Sequence, residues 1–516
     1  MPAHQLKTLG LAVTSALLLS ACNTIEPQPY SDQQERERIL ADYQLMYDQQ
    51  EPVSAPITFY EAAARALKYN LDYRLKLMES ALASDLLDVS SHEMLPRLVA
   101  SAGYEGRSNH SGGTSVGIED GQESLRASTS QERYRDLAGL NLSWSALDFG
   151  VAYYRSQQKA DQIIMAEERR RRVAQNVLQD VRNAYWRALG AQRLLPQVDR
   201  LLQRTRSALD SARQAETRGL LPRQDVLAYQ RALLDSMSLL NARRQDLEFA
   251  QAELKALMSL PPGSALVLAD DGSEPELPGI GVDIEQLEIL SLENRPEIME
   301  EWYRKRVNLT DLEIAKTKLW PNVTFSAGYS YDTNEYLYNN HWNSTGVDVS
   351  INLLQLLQLP SLDSAAESQA AADDLRRVAL SMAILTQVRV GALRYELARQ
   401  DMGYADESLR VDSQLLDYAK AASSSSLGSE LEVIRAEGRY LLSRYQREAA
   451  YSRAQAAWGR LYNSIGLDVL PEEIEQHDVK TLASEIERTL KLQQGTGLLA
   501  STPIMEQGAA NAVAEP

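Results

Sequence analysis

The chain of 516 residues contains one cysteine, four phenylalanines and five histidines. A single cysteine, Cys22, excludes a disulfide scaffold and any cysteine-based metal site. The histidines, His4, His92, His110, His341 and His477, are scattered along the chain, and no HExxH, paired CxxC, phosphate-binding loop or GxSxG accompanies them. Nothing in this pattern points to an enzyme, and neither a cofactor nor a metal is expected. After the first 22 residues no stretch is apolar enough for a transmembrane helix, so any passage through a membrane must rest on strands. The net charge of -18 argues against a general nucleic-acid surface.

What is present begins with a leader. Lys7 supplies a positive start, 9–19 is apolar, and Leu19-Ser20-Ala21-Cys22 resembles a bacterial lipoprotein box. Residues 1–21 therefore read as a signal peptide, with a covalent lipid expected on Cys22 and Asn23 suggesting sorting to the outer membrane. An ordinary secretory signal with a chance cysteine is the alternative. Residues 22–56 read as a polar, lipidated tether.

The stretch VTFSAGYSYD, 323–332, alternates strictly: Val323, Phe325, Ala327, Tyr329 and Tyr331 on one face, Thr324, Ser326, Gly328 and Ser330 on the other. This is the period of a strand with one oily and one polar face. The pattern recurs 225 residues earlier, where Ala102-Gly103-Tyr104 matches Ala327-Gly328-Tyr329. A second register, offset by 207, sets Gly139-Leu140-Asn141-Leu142-Ser143 against 346–350, Val181-Arg182 against Val388-Arg389, and Asp225-Val226-Leu227 against Glu432-Val433-Ile434. The difference of 18 is one loop, 34 residues over 105–138 but 16 over 330–345. The chain is a duplication.

The first repeat spans 57–263, with strands over about 98–107 and 139–145 and a long helix over 149–217. A helix over about 58–95, with Thr58 as cap and Asn70 as an interruption, precedes the first strand, and a polar loop over 108–136 joins the two. Pro196 makes a bend in the long helix conceivable, and Arg169 to Arg172 reads as a solvated face, with phospholipid or partner contact as the alternative. After a linker over 264–282 the second repeat spans 283–467, with strands over about 323–332 and 346–352 and a long helix over 361–422. Residues 468–516 read as an equatorial segment with a short helix and a disordered C-terminal tail. The 38 and 35 residues of the two shorter helices of repeat one nearly sum to the 69 of the long one, so two helices stacked end to end can line it.

Four strands have open edges, and unpaired backbone groups in hydrocarbon are costly, so closure must come from other copies of the chain. Two copies give eight strands and three give twelve. Leu95-Pro96 and Trp320-Pro321 before the strands, Asn294-Arg295-Pro296-Glu297, the turn over 219–227 and the duplicated strand-and-helix unit together resemble the outer membrane efflux protein family, the TolC-like ducts, and among them the lipidated OprM-like members. The resemblance implies an α+β membrane protein. Three chains, each giving four strands, close a trimeric 12-stranded outer-membrane β-barrel that continues into a long periplasmic α-helical barrel. It also implies a homotrimer in contact with outer-membrane lipid, a periplasmic adaptor protein and an inner-membrane transporter, and passive export of small molecules. Protein or polysaccharide secretion of type I is the alternative, and a non-channel coiled-coil lipoprotein a remote one.

The resemblance places a periplasmic gate at the helix tips. Glu432 is the first candidate; Arg435 stands where the family carries a second acid, and Glu430 and Asp225 complete the set, although an acid near a helix start is also favoured by capping and the dipole. Gly219, Pro222, Tyr229, Arg231 and Gly428 are the candidates for tip and adaptor contact, and Tyr104, Trp144 and Tyr329 for the aromatic belt.

Overall fold

The computed structural model describes residues 29–47, 50–124, 126–218, 222–270, 272, 276–277, 279–425, 430–468, 470 and 478–494. Cys22, the leader and 495–516 lie outside the described residues. The chain divides into two units, 1–50 and 51–516. The first holds helix α1 (Asp32–Tyr47), none of whose residues is buried.

The second unit opens with α2 (Phe59–Tyr69), α3 (Leu71–His92), β1 (Arg97–Gly106), β2 (Ser111–Gly113), β3 (Ser128–Gln131), β4 (Tyr134–Ser145), α4 (Ala146–Thr217) and α5 (Arg223–Leu257). It continues with α6 (Ile284–Asn294), α7 (Pro296–Thr317), β5 (Asn322–Asp332), β6 (His341–Ser350), a 3-10 stretch (Leu353–Gln358), α8 (Leu359–Ser424), α9 (Glu430–Ile465) and α10 (Val479–Gln494). Adding 225 to the first residues of α2, α3 and β1 gives those of α6, α7 and β5, and adding 207 to that of α5 gives that of α9. The duplication carries over to the starts of these four pairs of elements, while among the described residues the hairpin β2–β3 has no counterpart in the second repeat.

Each repeat breaks its leading helix at the same place. Asn70 leaves helical geometry at φ -61, ψ 126, and its side chain accepts from the Tyr73 amide at 3.1 Å, so it ends α2 and caps α3. Its counterpart Arg295, at φ -66, ψ 123, precedes Pro296, whose ring disfavours the helical region for the residue before it. Thr58 caps α2 by accepting from the Glu61 amide at 3.1 Å. Pro196 does not break α4, which runs as one helix of 72 residues, about 110 Å at 1.5 Å per residue.

The sheet order is β1-β4-β5-β6, all antiparallel, so among the described residues β1 and β6 each lack a partner on one side. Partners across a ladder share a face. Leu98 pairs with Leu142, Leu142 with Ala327, Leu140 with Tyr329 and Phe325 with Val347, giving one continuous apolar face. Asn141 pairs with Gly328, Gly328 with Ser344, and Ser326 with both Ser143 and Gly346, giving a face of small polar residues. A Cβ built on Gly328 would lie 2.9 Å from Ser344 Oγ and one on Gly346 3.0 Å from Ser326 Oγ, so side chains converge on this face, as inside a curved sheet. The structure extends β4 back to Tyr134, starts β6 at His341 and folds the small hairpin β2–β3 out of the expected loop.

Below the sheet, α4 packs between two columns, α3 with α5 and α7 with α9, and α8 packs on the far side of the second column. Val226, Leu233, Leu240, Leu247 and Leu254 are buried along α5, and Val388, Tyr395, Met402 and Leu416 along α8. Both sets keep a seven-residue period, the signature of helices that supercoil around their neighbours. Beyond the end of α5, Ser259 turns to φ 55 and donates to the carbonyl of Tyr69, the last residue of α2, at 3.0 Å. Its counterpart Gly466, at φ 80, ends α9 against Asn294 and Arg295. Both residues close their helices in the left-handed conformation.

Three of the four arginines in the run are part-exposed and engaged in pairs: Arg169 reaches Glu300 of α7, Arg170 reaches Glu167 and Tyr73 of α3, and Arg171 reaches Glu168 and Asp468. A Cβ on Gly466 would sit 2.8 Å from Arg295 backbone atoms, in a conformation that costs about 1–2 kcal/mol for an L side chain. Gly466→Ala is therefore expected to lower the thermal midpoint measurably, whereas Gly403→Ala, where a Cβ meets nothing within 4 Å, leaves it unchanged or raises it.

Candidate functional site

Two helix hairpins end at the same tip, α4–α5 and α8–α9. Their turning residues 219–221 and 426–429, with Gly219 and Gly428 among them, lie outside the described residues. Pro222 is the residue before α5, at φ -55, ψ 132, and its carbonyl accepts from the amides of Asp225 and Val226. Asp225 is exposed in the first turn of α5, where a carboxylate faces the positive end of the helix dipole. Glu430 and Glu432 occupy the same place on α9.

Arg204 of α4 ties this end together. Its guanidinium lies 3.5 Å from Glu430 and 3.1 Å from Glu437, two carboxylates one heptad apart on α9. Tyr229 is half-buried against the same cluster, and its phenol pKa is pushed up by burial and by the Glu430 charge, with Arg204 opposing. Arg231 instead faces solvent and pairs with Asp235 one turn on, at 2.9 Å, so it is not drawn into this group.

Glu432 and Arg435 are both exposed and line one groove of about 580 Å³, with Leu239 of α5 and Leu415 and Tyr418 of α8 as its apolar walls. The groove gives the acidic candidate an apolar setting and a cation one turn away. Arg204 and Glu437 were not legible in the sequence, because the two residues lie 233 positions apart and only the fold brings them together.

Tyr104, Trp144 and Tyr329 all lie on the apolar face of the sheet. Trp144 donates from Nε1 to Met94 O at 3.4 Å and stacks on Phe325 at 5.9 Å, at the helix end of the sheet. Tyr104 stacks on Tyr134 at 6.3 Å, at the loop end. Trp144 and Tyr134 are ten residues apart on β4, roughly 33 Å along a strand, or about 25 Å of height at a 40° tilt. That is the height of a barrel's lipid-facing band between its two aromatic girdles.

The sequence profile of the family described as "Outer membrane efflux protein" matches 64–259 and 289–467, one stretch in each repeat. The fold is similar to that of the Campylobacter jejuni CmeC outer membrane channel, with a TM-score of 0.62 at 13% identity over 90% of this chain and 98% of that one. The open state of the Neisseria gonorrhoeae MtrE channel gives 0.58 at 14% identity over 81% and 94%, and the outer-membrane channel OprN 0.57 at 18% over 79% and 89%. No curated protein matches the chain by sequence.

Because Arg204 holds two partly exposed carboxylates, Arg204→Gln is expected to loosen the start of α9. Amide hydrogen exchange over 431–437 should quicken roughly three- to tenfold, while that around Gln175 stays as it is.

Proposed function

Because the chain belongs to the outer membrane efflux protein family, we propose that three copies close into a 12-stranded outer-membrane barrel continuous with a helical barrel in the periplasm. The assembly is a passive exit duct for small molecules delivered by an inner-membrane transporter through a periplasmic adaptor. It performs no bond chemistry.

The observation that carries this reading is that the open sides of the sheet and of the helical layer agree. The sheet ends at β1 and β6, and the helical layer at the α3 and α5 column and at α8. Both helical borders present exposed apolar residues seven apart: Leu75, Leu82 and Val89 on α3, and Val390, Leu397, Tyr404, Val411 and Tyr418 on α8. Such stripes fit a coiled-coil neighbour from the next copy. Closure also sets the small polar face of the sheet toward a wet lumen and the apolar face, with Tyr104, Trp144 and Tyr329, toward lipid.

In this assembly three copies of Glu432 approach one another at the tip, where like charges repel and cations are attracted, with Arg435 offsetting part of the charge. Pro222, Tyr229, Arg231 and the turns carrying Gly219 and Gly428 form the surface offered to the adaptor. Cys22 carries the lipid anchor.

Purified protein in planar bilayers should show discrete conductance steps. Glu432→Gln is expected to raise conductance or reduce cation preference while Glu430→Gln does neither; equal conductance in all three removes Glu432 from the gate. Correctly assembled oligomer that conducts nothing would overturn the duct. Labelled palmitate should enter the wild-type chain and not Cys22→Ser.

A further inference from the structure

Arg182 lies on α4 in the cluster that α4 forms with α2, α9 and α10, and it is only 6% exposed. Its guanidinium covers the Phe59 ring at 4.7 Å and donates to Gln455 Oε1 at 3.3 Å. The titratable groups around it are the neutral phenols of Tyr60, Tyr451 and Tyr462, and among the described residues no carboxylate pairs with it. Burial pushes its pKa down to about 10, which leaves it protonated at neutral pH. A buried cation without a counter-charge is strongly unfavourable.

The second repeat shows what is missing. At the offset of 207 the counterpart of Arg182 is Arg389, which donates to Glu288 Oε2 at 3.0 Å and lies 4.0 Å from Glu285. At the offset of 225 the counterparts of Glu288 and Glu285 are Ala63 and Tyr60. Ala63 is fully buried. The first repeat has the cation at this position but neither of the anions.

A cavity lies beside the arginine. Arg182, Gln175, Gln179, Asn463 and Gln493 supply its polar wall, and it leaves about 30 Å³ for the centre of a water-sized guest. One water needs roughly 10–15 Å³ by that measure, so the space suits one or two small guests. Gln179 accepts from Asn463 through Oε1 at 2.8 Å, and among the described residues its amide hydrogens have no acceptor. Gly459 makes room for the arginine, since a Cβ there would sit 2.9 Å from Arg182 Cδ.

We propose that this cavity binds a halide-sized monovalent anion, chloride in the first instance, which gives Arg182 the charge that Glu288 gives Arg389. The anion locks α2 and α10 onto α4 and α9, and it does so whether or not the chain forms a duct.

The test uses the full chain purified in detergent. Thermal midpoints are recorded in sodium chloride and in sodium gluconate at equal ionic strength, and crystals soaked in bromide are measured at the bromine absorption edge. Wild type should melt higher in chloride by about 2 °C or more, with saturation, and should show a bromide peak beside Arg182. Arg182→Met and Ala63→Glu should each abolish the difference between the two salts, the second by restoring an internal carboxylate. If neither variant folds, the bromide peak in wild type decides. A cavity holding only water, or an equal response to both salts in wild type and Arg182→Met, overturns the proposal.

Discussion

Every backbone amide and carbonyl in a sheet surrounded by hydrocarbon must find a partner within the protein, and among the described residues β1 and β6 leave a row of theirs unmatched. Much else in the molecule answers to that constraint. The two faces of the sheet are sorted so that only one suits lipid, and the helices below end in borders on the same two sides. In the duct proposed above, a chain with those borders is one segment of the wall, completed by its neighbours.

The interior solves a second problem, that of holding long helices in register. Heptad positions on α5 and α8 let side chains interlock, but a repeating seam tolerates slips by a whole heptad. Charged groups remove that freedom where α4, α7 and α8 meet. Asp161 pairs with Arg306, Asp373 accepts from Asn308 at 3.0 Å and from Gln369 at 3.0 Å, and Lys305 reaches Asp374 at 2.7 Å. Asp161 and Asp373 are buried, so a slipped register would strand them without partners.

Much of this was legible in the sequence because it is periodic. Alternation assigned Leu140, Leu142, Phe325 and Tyr329 to one face, and the ladder puts them together. The offsets of 225 and 207 carry over to the starts of matching elements. What escaped was set by contacts distant in sequence. Arg135 and Asp136 read as loop, yet Arg135 sits inside β4 because it pairs with Glu105 at 2.6 Å and Asp332 at 3.1 Å on the strands to either side. Ser259 gives no sign of the left-handed turn that its counterpart Gly466 suggests. At the tip, position along the chain indicated where Glu430 and Glu432 begin a helix, but not that Arg204 would bind the first of them.

The two columns are each interrupted, at Ser259 against Tyr69 and at Gly466 against Arg295, while α4 runs past the first joint and α8 past the second without a break. Masons lay brick this way, with every vertical joint covered by the middle of a neighbouring course. In such a wall no plane of weakness crosses from one side to the other. Bending at one joint has to stretch the hydrogen bonds of the continuous helix beside it, so a twist applied at the tip travels the length of the wall instead of being absorbed as a hinge.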